Sequence, residues 1–104
     1  MEEAFSIKWT EFHKNISHSF NELREEETFF DVTLVADDEI QLQAHKLVLS
    51  ACSDFFKSIL RNNHHSHHLL YLNGVSSEYL KLVLDYIYQG EVQIYQDDMN
   101  IIAF

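Results

Sequence analysis

Asp31-Val32-Thr33-Leu34, then Gln43-Ala44-His45-Lys46, Leu49-Ser50-Ala51-Cys52-Ser53 and Phe55-Phe56, is the stretch whose order decides the fold. Val32 and Leu34 alternate with polar neighbours, Asp37-Asp38 offers a turn, and Ile40 and Leu42 alternate again, which predicts two strands joined by a short connection. The strands are placed at Asp31 to Ala36 and Glu39 to Ala44, after Phe29-Phe30. An apolar run follows at once. His45 to Ala51 and Ser53 to Arg61 read as consecutive helices, with Ser53 placed to cap the second and Phe55, Phe56, Ile59 and Leu60 facing inward.

Working outward toward the N-terminus, Phe5, Ile7 and Trp9 alternate with Ser6 and Lys8, the pattern of a short strand with one apolar face. Phe12, Ile16, Phe20 and Leu23 then form a single stripe at helical period, while Glu11, Lys14, Asn15 and Asn21 point elsewhere. That stripe is either core or a surface for a second chain, because a helix reached through a lone strand has few local neighbours to cover it. Glu25-Glu26-Glu27 reads as a solvated loop. Toward the C-terminus, Leu69 to Leu72 makes a strand. Leu80, Val83, Leu84, Ile87 and Tyr88 repeat as one face of a helix that starts at Ser76 or Ser77 and ends before Gly90. Val92 and Ile94 alternate as a last strand. Strands and helices in this mixed order give an α+β domain, a small sheet flanked by short helices.

The chain has 104 residues, enough for one domain that buries roughly 60 to 70% of its unfolded surface. Two Gly and no Pro leave little room for linkers. Seven Lys plus Arg against seventeen Asp plus Glu give a formal charge of -10, so phosphate backbones are repelled and direct nucleic-acid binding is not expected. No apolar run reaches the roughly 18 to 20 residues that span a bilayer, so no membrane partner is expected, and Met1-Glu2-Glu3-Ala4 lacks the basic start of a secretory signal. Cys52 is the only cysteine, which excludes an internal disulfide and predicts a buried packing role.

Taken with three further segments, the chain resembles a BTB/POZ domain. Phe5-Ser6-Ile7-Lys8-Trp9 with Phe12-His13 is similar to the N-terminal signature of the tramtrack-type subgroup, which precedes insect transcription and chromatin regulators. Leu69-Leu70-Tyr71-Leu72-Asn73-Gly74-Val75 resembles the family's fourth strand, and Tyr86-Ile87-Tyr88-Gln89-Gly90-Glu91-Val92 its helix end and fifth strand. The resemblance implies a dimer in which the N-terminal strand is exchanged: Phe5 to Trp9 would pair with Glu91 to Tyr95 of the other protomer, and the first helix would pack on its counterpart. Its interface would then comprise Phe5, Ile7, Trp9, Phe12, Ile16, Phe20, Val92 and Ile94. The chain departs from the family after Asp97-Asp98-Met99-Asn100, where about two helical turns remain before Phe104, so the family's last C-terminal helices are expected to be missing.

Two charged or ligating groups stand out. Asp31 and Lys46 match the positions of a charged pair that BTB domains of transcription factors place in a pocket at the dimer interface; the alternative is a loop carboxylate and a solvated lysine. His64, His65, His67 and His68 have no accompanying Cys and lie on a segment whose adjacent side chains diverge, so no metal and no cofactor are expected. No nucleophile elbow, phosphate loop or metalloprotease helix is present, and an enzyme is not expected. What the resemblance implies is a nuclear association module of a transcription or chromatin regulator. It would pair with itself as a homodimer or higher oligomer, with other BTB proteins and with co-regulators. The alternatives are a substrate adaptor of a cullin ubiquitin ligase, or a dominant-negative short isoform.

Overall fold

The computed structural model describes residues 2–62 and 65–94. Its centre is β1 (Val32–Val35), buried at all four positions. It pairs antiparallel with β2 (Gln41–Ala44), Val32 facing Ala44 and Leu34 facing Leu42. On its other side it pairs in parallel with β3 (His68–Tyr71), Val32 facing His68 and Val35 facing Tyr71. The three strands lie in the order β2-β1-β3. Alternation predicts one covered face for β1, yet Thr33 is buried as well, its hydroxyl hydrogen-bonded to the His67 ring at 2.8 Å. Asp37 and Asp38 make the expected turn, closed by Ala36 and Ile40 across its base.

A parallel neighbour requires a crossover, and the chain supplies it as α2 (Lys46–Cys52) and α3 (Asp54–Leu60). Ser53 sits between them in extended conformation, and its side chain accepts from the Phe56 N–H, the cap its sequence position predicts. Only Phe56 and Leu60 of α3 are buried. Phe55 and Ile59, expected inside, are 44% and 40% exposed, because a helix of two turns offers the core one narrow stripe.

The last described helix, α4 (Ser77–Gln89), is the best formed. Ser76 caps its start through the Tyr79 N–H, and Gly90 ends it at φ 80°, a left-handed conformation that glycine adopts without the Cβ clash. Leu80, Val83, Leu84 and Tyr88 are buried; Leu80, Leu84 and Tyr88 join Val32, Leu34, Leu49, Phe56 and Leu60 in one core cluster. The first helix, α1 (Phe12–Glu25), crosses α4 and has no buried residue. It ends in a reversal in which the Thr28 N–H bonds the Leu23 carbonyl and the Glu27 N–H that of Arg24. The Glu25–Glu27 run is therefore a helix end and a tight turn rather than a plain loop.

Two expected strands are not formed within the chain. Residues 5–9 are exposed and irregular, and so are residues 91–94 apart from half-buried Val92 and Ile94; Tyr95 and the expected helix from Asp97 lie outside the described residues. A strand exists only as part of a ladder, and β1 already has both its neighbours.

Candidate interaction surface

Phe12, Ile16 and Phe20 project from one side of α1 at intervals of four residues, as their spacing requires. α2 and α4 approach from the other side. Between them lies an apolar groove of about 210 Å³ whose walls include Phe12, Ile16, Phe20, Leu47, Ala51 and Ile87, with Tyr88 at its floor. Phe12 is 42% exposed and Leu47 72%, while Ile16 and Phe20 are half-buried. Past the helix start, the Trp9 ring meets Phe12 edge-on at 5.2 Å, while Phe5 and Ile7 are 84% and 96% exposed. Of the apolar residues expected at an interface, the structure therefore gathers Phe12, Ile16 and Phe20 in one surface with Trp9 at its end. Val92 and Ile94 lie apart from the groove lining.

Two long-range contacts fix the groove's geometry. Arg24, in the last turn of α1, makes a 2.8 Å ion pair with Asp85 of α4, both partly buried, and its guanidinium lies 5.1 Å from the centre of the Tyr88 ring. Below them, buried His45 closes a hydrogen-bonded loop. Its Nε2 is 2.7 Å from the Thr28 carbonyl, which can only accept, so Nε2 carries the proton. Nδ1 is then the acceptor for the Tyr88 hydroxyl at 2.6 Å, and that same hydroxyl accepts from the His45 backbone N–H at 2.9 Å. Burial pushes the Tyr88 phenol up to about 12.

Cys52, the last residue of α2, is exposed on the groove wall, which corrects its expected burial. Asp31 and Lys46 do meet, but not as a charge pair. The Asp31 carboxylate accepts from the Lys46 backbone N–H at 2.7 Å and so caps α2 from outside, while the Lys46 ammonium donates to the His65 carbonyl at 2.8 Å. Of the histidine run, His67 binds Thr33, His65 and His68 stack edge-on, and His64 lies outside the described residues. Among the described residues no three His, Cys, Asp or Glu side chains converge as a metal site needs, and no helix is long and apolar enough to cross a membrane.

Neither the His45–Tyr88 loop nor the Arg24–Asp85 pair is visible to local pattern reading. Leu47 and Ala51 do leave a trace, as apolar residues four apart and off the Val48–Leu49 face of α2.

Residues 20–103 match the BTB/POZ domain. Over 98 residues, 94% of the chain, the sequence is 40% identical to the longitudinals lacking protein-like of Drosophila melanogaster and spans 76% of that protein. Over the same length it is 39% identical to the fly protein abrupt and 35% identical to bric-a-brac 2, of which it spans 11% and 9%. Among solved structures, the BTB domain of zebrafish PATZ1 superposes with a TM-score of 0.77 over 90% of this chain and 76% of that one, at 24% identity. The BTB domain of human gigaxonin does so with 0.78 over 98% and 83%, at 22% identity. A domain match over most of the length, relatives at this identity and the same mixed three-stranded core have one reading: the chain belongs to the BTB/POZ family, among its tramtrack and bric-a-brac type members.

Proposed function

We propose that the chain works by pairing with a second copy of itself across the groove between α1, α2 and α4, as the association module of a nuclear transcription or chromatin regulator. The family is one of protein–protein interaction modules found in transcription regulators, and not one of enzymes. The observation that carries the proposal is α1: an amphipathic helix whose apolar stripe has no buried residue and borders an open groove. In water such a stripe stays partly wet unless a partner covers it. A second α1 from an identical chain presents the same stripe, and a two-fold axis satisfies both at once.

In this reading residues 5–9 leave the irregular state seen in the single chain and become a strand by pairing with Glu91 to Tyr95 of the other copy. Phe5, Ile7 and Trp9 would be covered with Val92 and Ile94. Asp31 and Lys46 meet at the start of α2, and in this reading they would help set which chains pair, other BTB proteins and co-regulators included. The functional gain is multivalency: linked DNA-binding segments elsewhere in the assembly reach a higher effective concentration at adjacent sites, with no nucleic-acid contact by this acidic module.

Size exclusion with light scattering at micromolar concentration tests this. Twice the chain mass of 12.3 kDa or more is expected. A compact 12.3 kDa species throughout would overturn it.

A further inference from the structure

We infer that His45 is a proton-gated latch on α1: its neutral imidazole ties the connector between α1 and β1 to α4, and protonation releases that tie, so that acid weakens self-association. The effect on pairing rests on the groove reading proposed above, whereas the latch is a property of the single chain. The connector, residues 26–31, joins the one described helix that has no buried residue to the central strand. Two of its residues, Glu27 at φ 56° and Phe29 at φ 64°, are left-handed, a conformation in which a Cβ is crowded. Between them, Thr28 offers its carbonyl to His45 Nε2. Among the described residues this is the one hydrogen bond that ties residues 26–30 to anything beyond α1 and the connector itself. A strained segment keeps its shape only while its surroundings hold it, and here the hold comes from a titratable ring.

The latch closes only with a neutral ring. Nε2 donates to the Thr28 carbonyl, Nδ1 accepts from the Tyr88 hydroxyl, and that oxygen accepts from the His45 backbone N–H. A second ring proton, on Nδ1, would meet an oxygen whose own hydrogen already points at it. The hydroxyl hydrogen would have to turn away, and among the described residues it has no other partner. His45 is 7% and Tyr88 3% exposed, so water does not take the partner's place. The charged ring is accommodated by parting from Tyr88. Tyr88 floors the groove, so the connector then comes free of α4, and the polar ties of α1 to that helix reduce to the Arg24–Asp85 pair.

The charges around the ring are committed elsewhere. The Asp31 carboxylate accepts from the Lys46 backbone N–H, and the Lys46 ammonium donates to the His65 carbonyl. Arg24 of α1 and Asp85 of α4 hold each other at 2.8 Å. Glu25, Glu26 and Glu27 are exposed, Cys52 lies at the far end of α2, and neither β1 nor β2 carries a titratable side chain. On its remaining side the ring meets Phe30, 4.9 Å away. No carboxylate bonds either ring nitrogen, so the closed latch offers an imidazolium no ion pair to offset its burial.

The expected direction is opposite to that of bulk charge. Protonating all seven His cancels seven of the ten net negative charges, which lessens repulsion between copies and by itself strengthens pairing. Sedimentation of the full chain at about pH 7.5 and about pH 5.5, on either side of the ordinary histidine range, tests the inference at constant salt. Wild type is compared with His45→Asn, which does not titrate, and with His13→Gln, which removes the titrating ring on the groove wall. Wild type and His13→Gln are expected to pair roughly tenfold or more weakly in acid, the scale of one buried hydrogen bond lost, whereas His45→Asn should pair alike at both values. A wild-type dimer as tight or tighter in acid overturns the inference, as does a response that survives in His45→Asn or disappears in His13→Gln. If His45→Asn does not fold, nitrogen NMR of the wild-type imidazoles decides. The His45 ring is expected to gain its second proton in step with shifts of the amides of residues 26–30, and amides that do not follow the ring overturn the latch. A chain that stays at 12.3 kDa at every pH overturns the groove reading instead, and the same NMR titration then decides the latch by itself.

Discussion

α1 and α4 are nearly the same length, 14 and 13 residues, each with an apolar stripe at helical spacing, and they pack against one another. Yet α4 buries four side chains and α1 none. The stripe of α4 finds β2 and α2 within its own chain. That of α1 finds α4 on one flank and an open groove on the other. Two equally clear patterns in sequence thus end differently, one holding the fold together and one left beside an open groove that the proposed second copy would cover.

Leu80→Ala and Ile16→Ala should break the two helices in different ways. Leu80 is fully buried, and its truncation is expected to cost about 2 to 5 kcal/mol, a drop in thermal midpoint that dilution does not change. Ile16→Ala should leave the folded chain near wild type and weaken self-association instead, by up to roughly 1.5 to 3 kcal/mol for each copy the interface covers. Calorimetry at two protein concentrations separates them. An Ile16→Ala midpoint that falls as far at both concentrations would mean that α1 is ordinary core.

That distinction marks how far the sequence could be read. The Asp37-Asp38 turn, the Ser53 cap, the buried face of α4 and the mixed α+β order are local, and pattern and propensity are enough to find them. What escaped was long-range. Tyr88 reaches His45 across 43 positions, and no periodicity joins them. Asp31 and Lys46 lie close together, but an N–H bond and a charge pair demand the same proximity, so only coordinates tell them apart. Cys52 makes a related point: free cysteines are usually buried, but this one ends α2 and lines an open groove.

Tyr88 sharpens the comparison, since it belongs to the core of α4 and also floors the groove. Tyr88→Phe leaves the His45 N–H and Nδ1 without the hydroxyl, at an expected cost of about 1 to 3 kcal/mol. It should also change the alkaline limb. Because burial raises the folded-state value to about 12 from 10.0, the unfolded chain loses the phenolic proton first. Tyr88's contribution is therefore complete below pH 10 and is lost as pH rises through about 12. Denaturant midpoints from pH 8 upward should fall more steeply in wild type than in the variant, and parallel curves would place the hydroxyl in water.

Arg24 tests the tie between the helices. Arg24→Met leaves the Asp85 carboxylate partly buried beside no cation, an expected loss of about 1 to 2 kcal/mol for a pair of intermediate exposure. Adding Asp85→Leu should recover most of it, because the stranded charge is removed. If the double variant is no better than the single, the stabilisation comes from the Arg24 stacking on Tyr88 and not from the ion pair.

The two helix ends offer the smallest effect and the only expected gain. Both chains of turns pass through a left-handed residue, Gly90 after α4 at φ 80° and Glu27 after α1 at φ 56°. Glycine adopts that conformation freely, whereas a side chain there costs about 1 to 2 kcal/mol. Glu27→Gly should therefore relieve strain, partly offset by the roughly 0.4 to 1 kcal/mol that glycine adds to the entropy of the unfolded chain. The expected outcome is a net gain of at most about 1 kcal/mol, read as a small rise in denaturant midpoint with no change in slope. Glu27→Ala is the control, since it removes the charge but keeps the Cβ. If alanine stabilises as much as glycine, the gain comes from thinning the Glu25-Glu26-Glu27 run, and the backbone at the end of α1 carries no strain.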